Sequence, residues 1–385
     1  MLLHNKQVAI VGGGPGGLTL AKLLQLKGIG VKLYERDTNK DSRVQGSPLD
    51  MHEHSGMAAL RAAGLEEVFK QNYMPGADKQ LIVNEQAKVF FSDHDKPEEN
   101  FGYQHFRPEI DRGMLRNILL ESLQADTVVW GSHFTLMEKQ GEGWLLRFKD
   151  GKTAYADLVV AADGANSKIR PYLTDVKPFY SGITMLEGNI TDATINAPQV
   201  NSLINGGKIM AFGKGKNLLL GQKGNGDIGF YASLKVPENW AATNGLNYND
   251  NLQVLNWFNQ EYAGWSSIWD ELFTNAETPF IPRPIYCMPL EQMWEAQPNL
   301  TLLGDAAHVM PPFAGEGANM AMLDALELSY CLTNTNHSTQ REAITDYETR
   351  MRERSAEAAR ESLLNGERMH SDTALQDMLS FFSKH

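Results

Sequence analysis

Short apolar runs and longer periodic stretches alternate along this chain. Val8 to Val11 is an unbroken apolar, β-branched run, the pattern of a parallel strand buried on both faces. Leu18 to Leu26 changes to helical spacing, Gly28 to Gly30 ends that helix, and Val31 to Tyr34 reads as a second strand. Leu158 to Ala162 and Leu300 to Leu303 repeat the short buried run further along. Met51 to Ala63, closed by Gly64, reads as a helix. Pro108 and Glu109 open another, whose Ile110, Met114, Leu115, Ile118, Leu119 and Leu123 share one face. Asn251 to Leu272 is helical, and from Gln340 to Phe382 the pattern is mostly one long helix. Its Arg350, Arg352, Glu353, Arg354, Glu357, Arg360 and Glu361 are expected to form a solvated face.

Between these lie strand-like pieces: Gln80 to Val83, Lys88 to Phe91, Val128 to Trp130, Phe134 to Glu138, Trp144 to Lys149 and Lys152 to Ala156, with turns at Gly143 and Gly151. A polar loop, Arg36 to Gln45, is broken by Gly46 and Pro48. From Thr184 to about Val236 short alternating runs (Lys208 to Phe212, Asn217 to Leu220, Ile228 to Leu234) predict an antiparallel sheet. Gly213-Lys-Gly215 and Gly224-Asn-Gly226 in this stretch are hairpin turns, because neither opens a helix after a buried strand. The order βαβ, antiparallel insert, βα predicts an α/β protein in which a Rossmann-like dinucleotide-binding domain is interleaved with an antiparallel-sheet substrate domain and followed by a long C-terminal helix. The expected boundaries are 1–75, 100–178 and 281–335 for the first domain, 76–99 and 179–280 for the second, and 336–385 for a bridging helix.

A length of 385 residues allows two or three such units. The net charge of −12 argues against nucleic acid or an anionic membrane as the main partner. Cys287 and Cys331 have no metal-ligand or CxxC spacing and read as reduced core residues, so no metal is expected. There is no apolar run long enough to span a bilayer, and the apolar N-terminus carries a glycine turn rather than a signal peptide, so the expectation is a cytoplasmic protein, taken as a monomer.

The chemistry gathers at strand ends. Gly12, Gly14 and Gly17 form G-x-G-x-x-G between the first strand and the first helix, with Pro15 inside the turn. Gly12 permits the tight turn, Gly14 lets a pyrophosphate approach the backbone, and Gly17 lets the helix pack on the strand. The helix start supplies free amides and a positive dipole end for the anion. Glu35 ends the second strand, placed to accept from ribose hydroxyls. Asp163-Gly164 and Gly304-Asp305 end the two other buried runs. After Asp305, Pro311 and Pro312 stiffen a turn, Gly315 and Gly317 let backbone pass close to a flat group, and Ala318 to Leu328 begins a helix aimed at the same place. His308, in a tight turn at a strand end, reads as structural.

GGGPGG, AADGANSKIR (161–170) and GDAAHVMPPFAGEGAN, in this order and over nearly the whole chain, resemble the FAD-dependent aromatic hydroxylases, the single-component flavoprotein monooxygenases. That resemblance implies FAD as the resident cofactor, held by Gly12, Gly14, Pro15, Gly17, Glu35, Asp163, Gly304, Asp305, Pro312, Gly315, Gly317, Ala318 and Asn319. NADPH would be a transient co-substrate and O2 the oxygen source. Arg112-x-x-x-Arg116 resembles a family element whose first arginine reaches the flavin; a helical salt bridge from Glu109 is the alternative reading of Arg112. YERD (34–37), LDMH (49–52) and the C-terminal Asn365 and Met369 resemble the tetracycline-inactivating branch, which adds Arg36 and Asp50 to the flavin site and places Phe313, Gly315, Asn365 and Met369 on the substrate side. Where that branch offers glutamine, arginine and histidine to the drug, this chain has Glu187, Lys208 and Gly229. Lys208 keeps the charge without the planar fork. The implied activity is hydroxylation of an electron-rich phenol or enol, a tetracycline-type polyketide or another phenolic or quinoid metabolite. No general base is assigned, since a phenolate or enolate supplies its own electron push. A halogenase lacks its W-x-W-x-I-P signature here, and a flavin-binding sensor without turnover is the reading from outside enzymology.

Overall fold

The structure, a computed structural model, describes residues 2–42, 48–97, 100–101, 103 and 105–382. Gln45 and Gly46 of the expected polar loop lie outside them. The buried run Val8–Val11 is the middle of a five-stranded parallel sheet ordered Leu300–Leu302, Leu158–Ala161, Val8–Val11, Val31–Tyr34, Val128–Val129. Helix Pro15–Leu26 covers it and packs on helix Gly317–Thr333. The two approach so closely that a Cβ on Gly16 would lie 2.7 Å from the Ala321 carbonyl oxygen.

The second sheet has seven strands in the order Ile281–Cys287, Phe179–Ile190, Ile228–Lys235, Lys216–Gln222, Lys208–Gly213, Gln80–Asn84, Val89–Ser92. It is mixed rather than purely antiparallel, because Lys208–Gly213 runs parallel to Gln80–Asn84. That pairing is long-range, between strands of different segments, so no hairpin pattern announces it. Strand Ile281–Cys287, which the expected boundary gives to the dinucleotide-binding part, hydrogen-bonds along Phe179–Ile190 and so belongs to this sheet. Behind the sheet, Phe230, Phe258, Tyr262, Trp269 and Phe273 build a second core, separate from the one around the parallel sheet.

Several helix ends differ from expectation. Glu109–Ile110 is a two-residue strand paired with Leu49–Asp50, and the helix begins only at Arg112. Its partner segment holds Met51 extended through a bond from the Met51 N–H to the Pro108 carbonyl (3.0 Å), so the next helix starts at Gly56. The stretch 251–272 breaks after Glu261, where Gly264 turns with φ +87°, and resumes as short helices Ser267–Trp269 and Asp270–Thr274.

The C-terminal stretch is two helices, Gln340–Met369 and Ala374–Phe382. The long one is started by a capping box between Thr339 and Glu342. It touches both sheets: Tyr347 Oη donates to the Leu302 carbonyl (2.9 Å), and the Met369 carbonyl accepts from Asn217 Nδ2 (3.1 Å). Its charged face is only partly solvated. Arg354 donates to Asp324 Oδ1 (2.7 Å) and Glu327 Oε2 (2.8 Å), and Arg352 lies over the Trp294 ring. These arginines are drawn inward by carboxylates and an aromatic ring far away in sequence, which helical charge spacing does not reveal.

Candidate active site

One cleft of about 1250 Å3 runs from the carboxyl ends of the parallel strands to the face of the seven-stranded sheet. Its first end is the glycine turn. Gly12 has φ +112°, and a Cβ there would sit 2.2 Å from the Ala162 carbonyl oxygen, so only glycine fits between the two strand ends. At Gly14, the N-cap of helix Pro15–Leu26, no atom lies within 4 Å of an added Cβ, which leaves its backbone open to the cleft. The positive end of the helix dipole points there.

Glu35 is buried, and both its oxygens already accept from backbone, Oε2 from the Gly13 N–H (2.6 Å) and Oε1 from the Asp37 N–H (3.0 Å). It therefore props the turn as well as lining the cleft. Arg116 does similar work. Its guanidinium bonds the Gly13 and Lys40 carbonyls and pairs with Asp37 at 3.0 Å. Arg170 joins the other two strand ends, with Nε on the Ala306 carbonyl (2.7 Å) and Nη2 on the Asp305 (3.0 Å) and Ala165 (3.1 Å) carbonyls. The Asp305 carboxyl faces the cleft. Burial raises its pKa against the pull of His308, Arg112 and Arg170. Asp163 takes the Lys168 N–H on Oδ2 (2.9 Å), and burial raises its pKa too. Its Oδ1 is buried without a hydrogen-bond partner. Phosphate-accepting backbone, acceptors for a polyhydroxyl chain and a helix start at Gly317 together fit FAD.

Asp50, Glu109, Lys208 and Glu316 put charge in the wall of the cleft, and His52 packs behind two of them. His52 Nε2 meets Asp50 Oδ2 at 3.0 Å and its Nδ1 meets Glu316 Oε1 at 3.2 Å. Burial pushes the imidazole pKa down, but the two carboxylates win and raise it to about 9, so it is a cation at neutral pH. Asp50 stays ionised: burial raises its pKa, and His52, Lys208 and Arg107 together pull it well below the usual carboxylate range. Its carboxylate sits beside Gly315, where a Cβ would be 3.1 Å from Oδ2. Glu109, on its two-residue strand, pairs with Lys208 of the seven-stranded sheet. His308, buried, bonds Asp324 Oδ2 at 2.6 Å, and Asp324 also accepts the Gly304 N–H (2.9 Å).

The far end is walled by Met185, Met210, Leu219 and Tyr231 of the sheet, Phe313 of the flavin-side loop, and Asn365 and Met369 of the long helix. Asn365 Nδ2 donates to the Phe313 carbonyl (3.2 Å). Glu187 is held by Arg283 Nε at 2.7 Å. Met378, Phe381 and Phe382 of the last helix complete this wall.

Every residue expected to bind cofactor or substrate lines this cleft except Asn319. Asn319 is fully buried: its Oδ1 accepts the His52 (2.9 Å) and Gly56 (3.2 Å) N–H groups, and its Nδ2 donates to the Asp50 (2.8 Å) and Gly315 (3.2 Å) carbonyls. It ties segments around the flavin loop together instead of facing the cleft. Sequence reasoning passed over His52, Glu109, Arg170, Arg283 and the last helix. Of these, only His52, two residues after Asp50 and so on the same side of an extended segment, left a local signal.

The family described as "FAD binding domain" matches residues 5–215 and 291–362. The chain belongs to this family, as an FAD-dependent monooxygenase. The aurachin C monooxygenase/isomerase of Stigmatella aurantiaca is 30% identical over 334 residues, covering 85% of this chain and 80% of that protein. The 6-hydroxynicotinate 3-monooxygenase of Pseudomonas fluorescens is 25% identical over 375 residues, covering 93% and 90%. The crystal structure of tetracycline destructase Tet(55) has a TM-score of 0.75 at 19% identity, covering 97% of this chain and 92% of that one. Tetracycline destructases are thus among the structural neighbours, sharing the fold, but they do not stand apart as the special relatives that the short motifs imply. FAD is the cofactor of this monooxygenase, and NAD(P)H is the reductant typical of its family. Among the described residues no helix is long and apolar enough to cross a membrane.

Proposed function

We propose that this monooxygenase uses NADPH and O2 to hydroxylate an electron-rich phenol or enol, with a tetracycline-type polyketide as the first candidate. One observation carries the reading. Phe313 and Gly315 of the flavin-side loop stand in the same cleft as Lys208 and Met210 of the sheet and Asn365 and Met369 of the long helix, in an apolar slot edged by ion pairs. Bound FAD supplies the redox chemistry, accepting hydride from NADPH and delivering one oxygen atom of O2. The chain's own residues do the rest. The Gly317 helix start offers positive dipole to negative charge at the flavin end. The methionine and phenylalanine wall keeps water from the slot. Lys208 presents a cation to the oxygen of a phenol or enol.

A second reading, hydroxylation of another phenolic or quinoid metabolite, has a specific observation in its favour. Glu187 is engaged by Arg283 and Lys208 by Glu109, so two groups expected to meet the drug already have protein partners. The test is NADPH oxidation by the FAD-loaded enzyme with and without tetracycline, with mass spectrometry of the drug. Faster oxidation and a drug carrying one added oxygen atom support the first reading. Unstimulated oxidation with unaltered drug moves the substrate to the second.

A further inference from the structure

Glu109 is a buried carboxylate of the cleft whose cationic partner, Lys208, also lines the cleft. Its backbone is pinned, opposite Asp50 in a two-residue strand pair and with its carbonyl accepting the Met74 N–H (2.8 Å). Its side chain is 1% exposed, whereas the Lys208 side chain it touches is 32% exposed. Lys208 is likewise fixed, its backbone bonded to the Lys79 carbonyl (2.8 Å) on the strand beside the slot. The pair thus has a closed end and an open end.

We propose that Glu109, acting through Lys208, accepts the proton of the bound phenol or enol and so generates the oxyanion that is hydroxylated. This rests on the phenol or enol reading above. The substrate O–H bond breaks and its electron pair stays on oxygen. The proton joins the Lys208 nitrogen as Lys208 passes one of its own N–H protons to Glu109 Oε1. The products are a substrate oxyanion beside an ammonium group and a neutral Glu109. Glu109 touches no substrate; Lys208 does.

The surroundings set the working range. Burial raises the Glu109 pKa, Lys208 lowers it, and Asp50 and Asp78 raise it, leaving it at about 7. Lys208 stays protonated, its pKa raised by Glu109, Asp50 and Asp78 against burial. Arg107 and the His52 cation face Asp50 rather than Glu109. Glu109 accepts a proton only when ionised, so kcat/KM rises as pH climbs through about 7.

The experiment has two arms. In the first, infrared difference spectra of the FAD-loaded enzyme between pH 6 and pH 8 are taken without substrate for wild type, Glu109→Gln and, because Glu348 also titrates near 7, Glu348→Gln. A protonated-carboxyl band that disappears on raising the pH, persists in Glu348→Gln and is missing from Glu109→Gln supports the proposal; no such band overturns it, whether or not tetracycline is a substrate. In the second, the pH profile of tetracycline-stimulated turnover, or of phenol ionisation on binding (followed by ultraviolet difference absorbance) should the drug fail, is compared with Glu109→Gln. The proposal expects a loss of about 100-fold near pH 7, recovered only at the ligand's own ionisation, with Glu109→Asp restoring part of the wild-type limb. An unmoved profile in Glu109→Gln overturns the relay. Retention of the flavin spectrum shows that each variant is folded.

Discussion

At the scale of single residues, burial decides the charge state of Glu348. Glu348 is fully buried on the long helix, accepting from Thr301 Oγ1 (2.7 Å) and Trp294 Nε1 (2.8 Å), with Arg352 at 3.7 Å. Burial lifts its pKa from 4.5 to about 7, ahead of the opposing hydrogen bonds and Arg352. The fold therefore prefers the protonated form: stability falls as pH rises from 4.5 to about 7, and the full penalty applies above that. Glu348→Gln can still accept from Trp294 Nε1 on its amide oxygen and donate its NH2 to Thr301 Oγ1, reversing that bond, and it cannot ionise. It should be more stable than wild type at pH 8 by up to about 3 kcal/mol, converging with it near pH 4, in urea unfolding followed at both pH values. Residues of this kind were invisible in the sequence because their partners are distant; Trp294 and Thr301 lie 54 and 47 positions away. The turn at Gly12 and Gly14 was legible because its geometry is set within a few residues.

Among elements, the contact that matters most is between the long helix and the helix Gly317–Thr333 beneath the flavin loop. Arg354 reaches Asp324 and Glu327, and Asp324 in turn holds the Gly304 N–H and His308. Arg354→Met leaves Asp324 with a buried charge and fewer partners. The expected cost is about 3–5 kcal/mol in chemical unfolding, with weaker FAD retention because Gly304 is the residue before Asp305. The helix itself was legible from its pattern, and its Thr339–Glu342 capping box appears in the structure. Its inward arginines were not, because charge spacing on one helix is the same whether its partners are water or carboxylates. The strand at Glu109 was misread as a helix start for a related reason: a two-residue strand exists only through its partner Leu49–Asp50, and local propensity carries no trace of it.

For the whole molecule, the order of motifs along the chain gave the α/β architecture and brought three strand ends to one place. The topology of the second sheet escaped, since its parallel pair joins segments over 100 residues apart. We propose that one cleft is divided by function, with Gly12 and Asp305 holding FAD at one end and Lys208 meeting the substrate at the other. The most direct test is the FAD dissociation constant of wild type, Asp305→Ala and Lys208→Met, measured by flavin fluorescence on reconstitution of the apoenzyme. FAD binding at least about tenfold weaker is expected for Asp305→Ala, from the loss of one or more hydrogen bonds to the cofactor, with wild-type affinity for Lys208→Met. Unchanged affinity in Asp305→Ala, or loss of FAD from Lys208→Met, would contradict it.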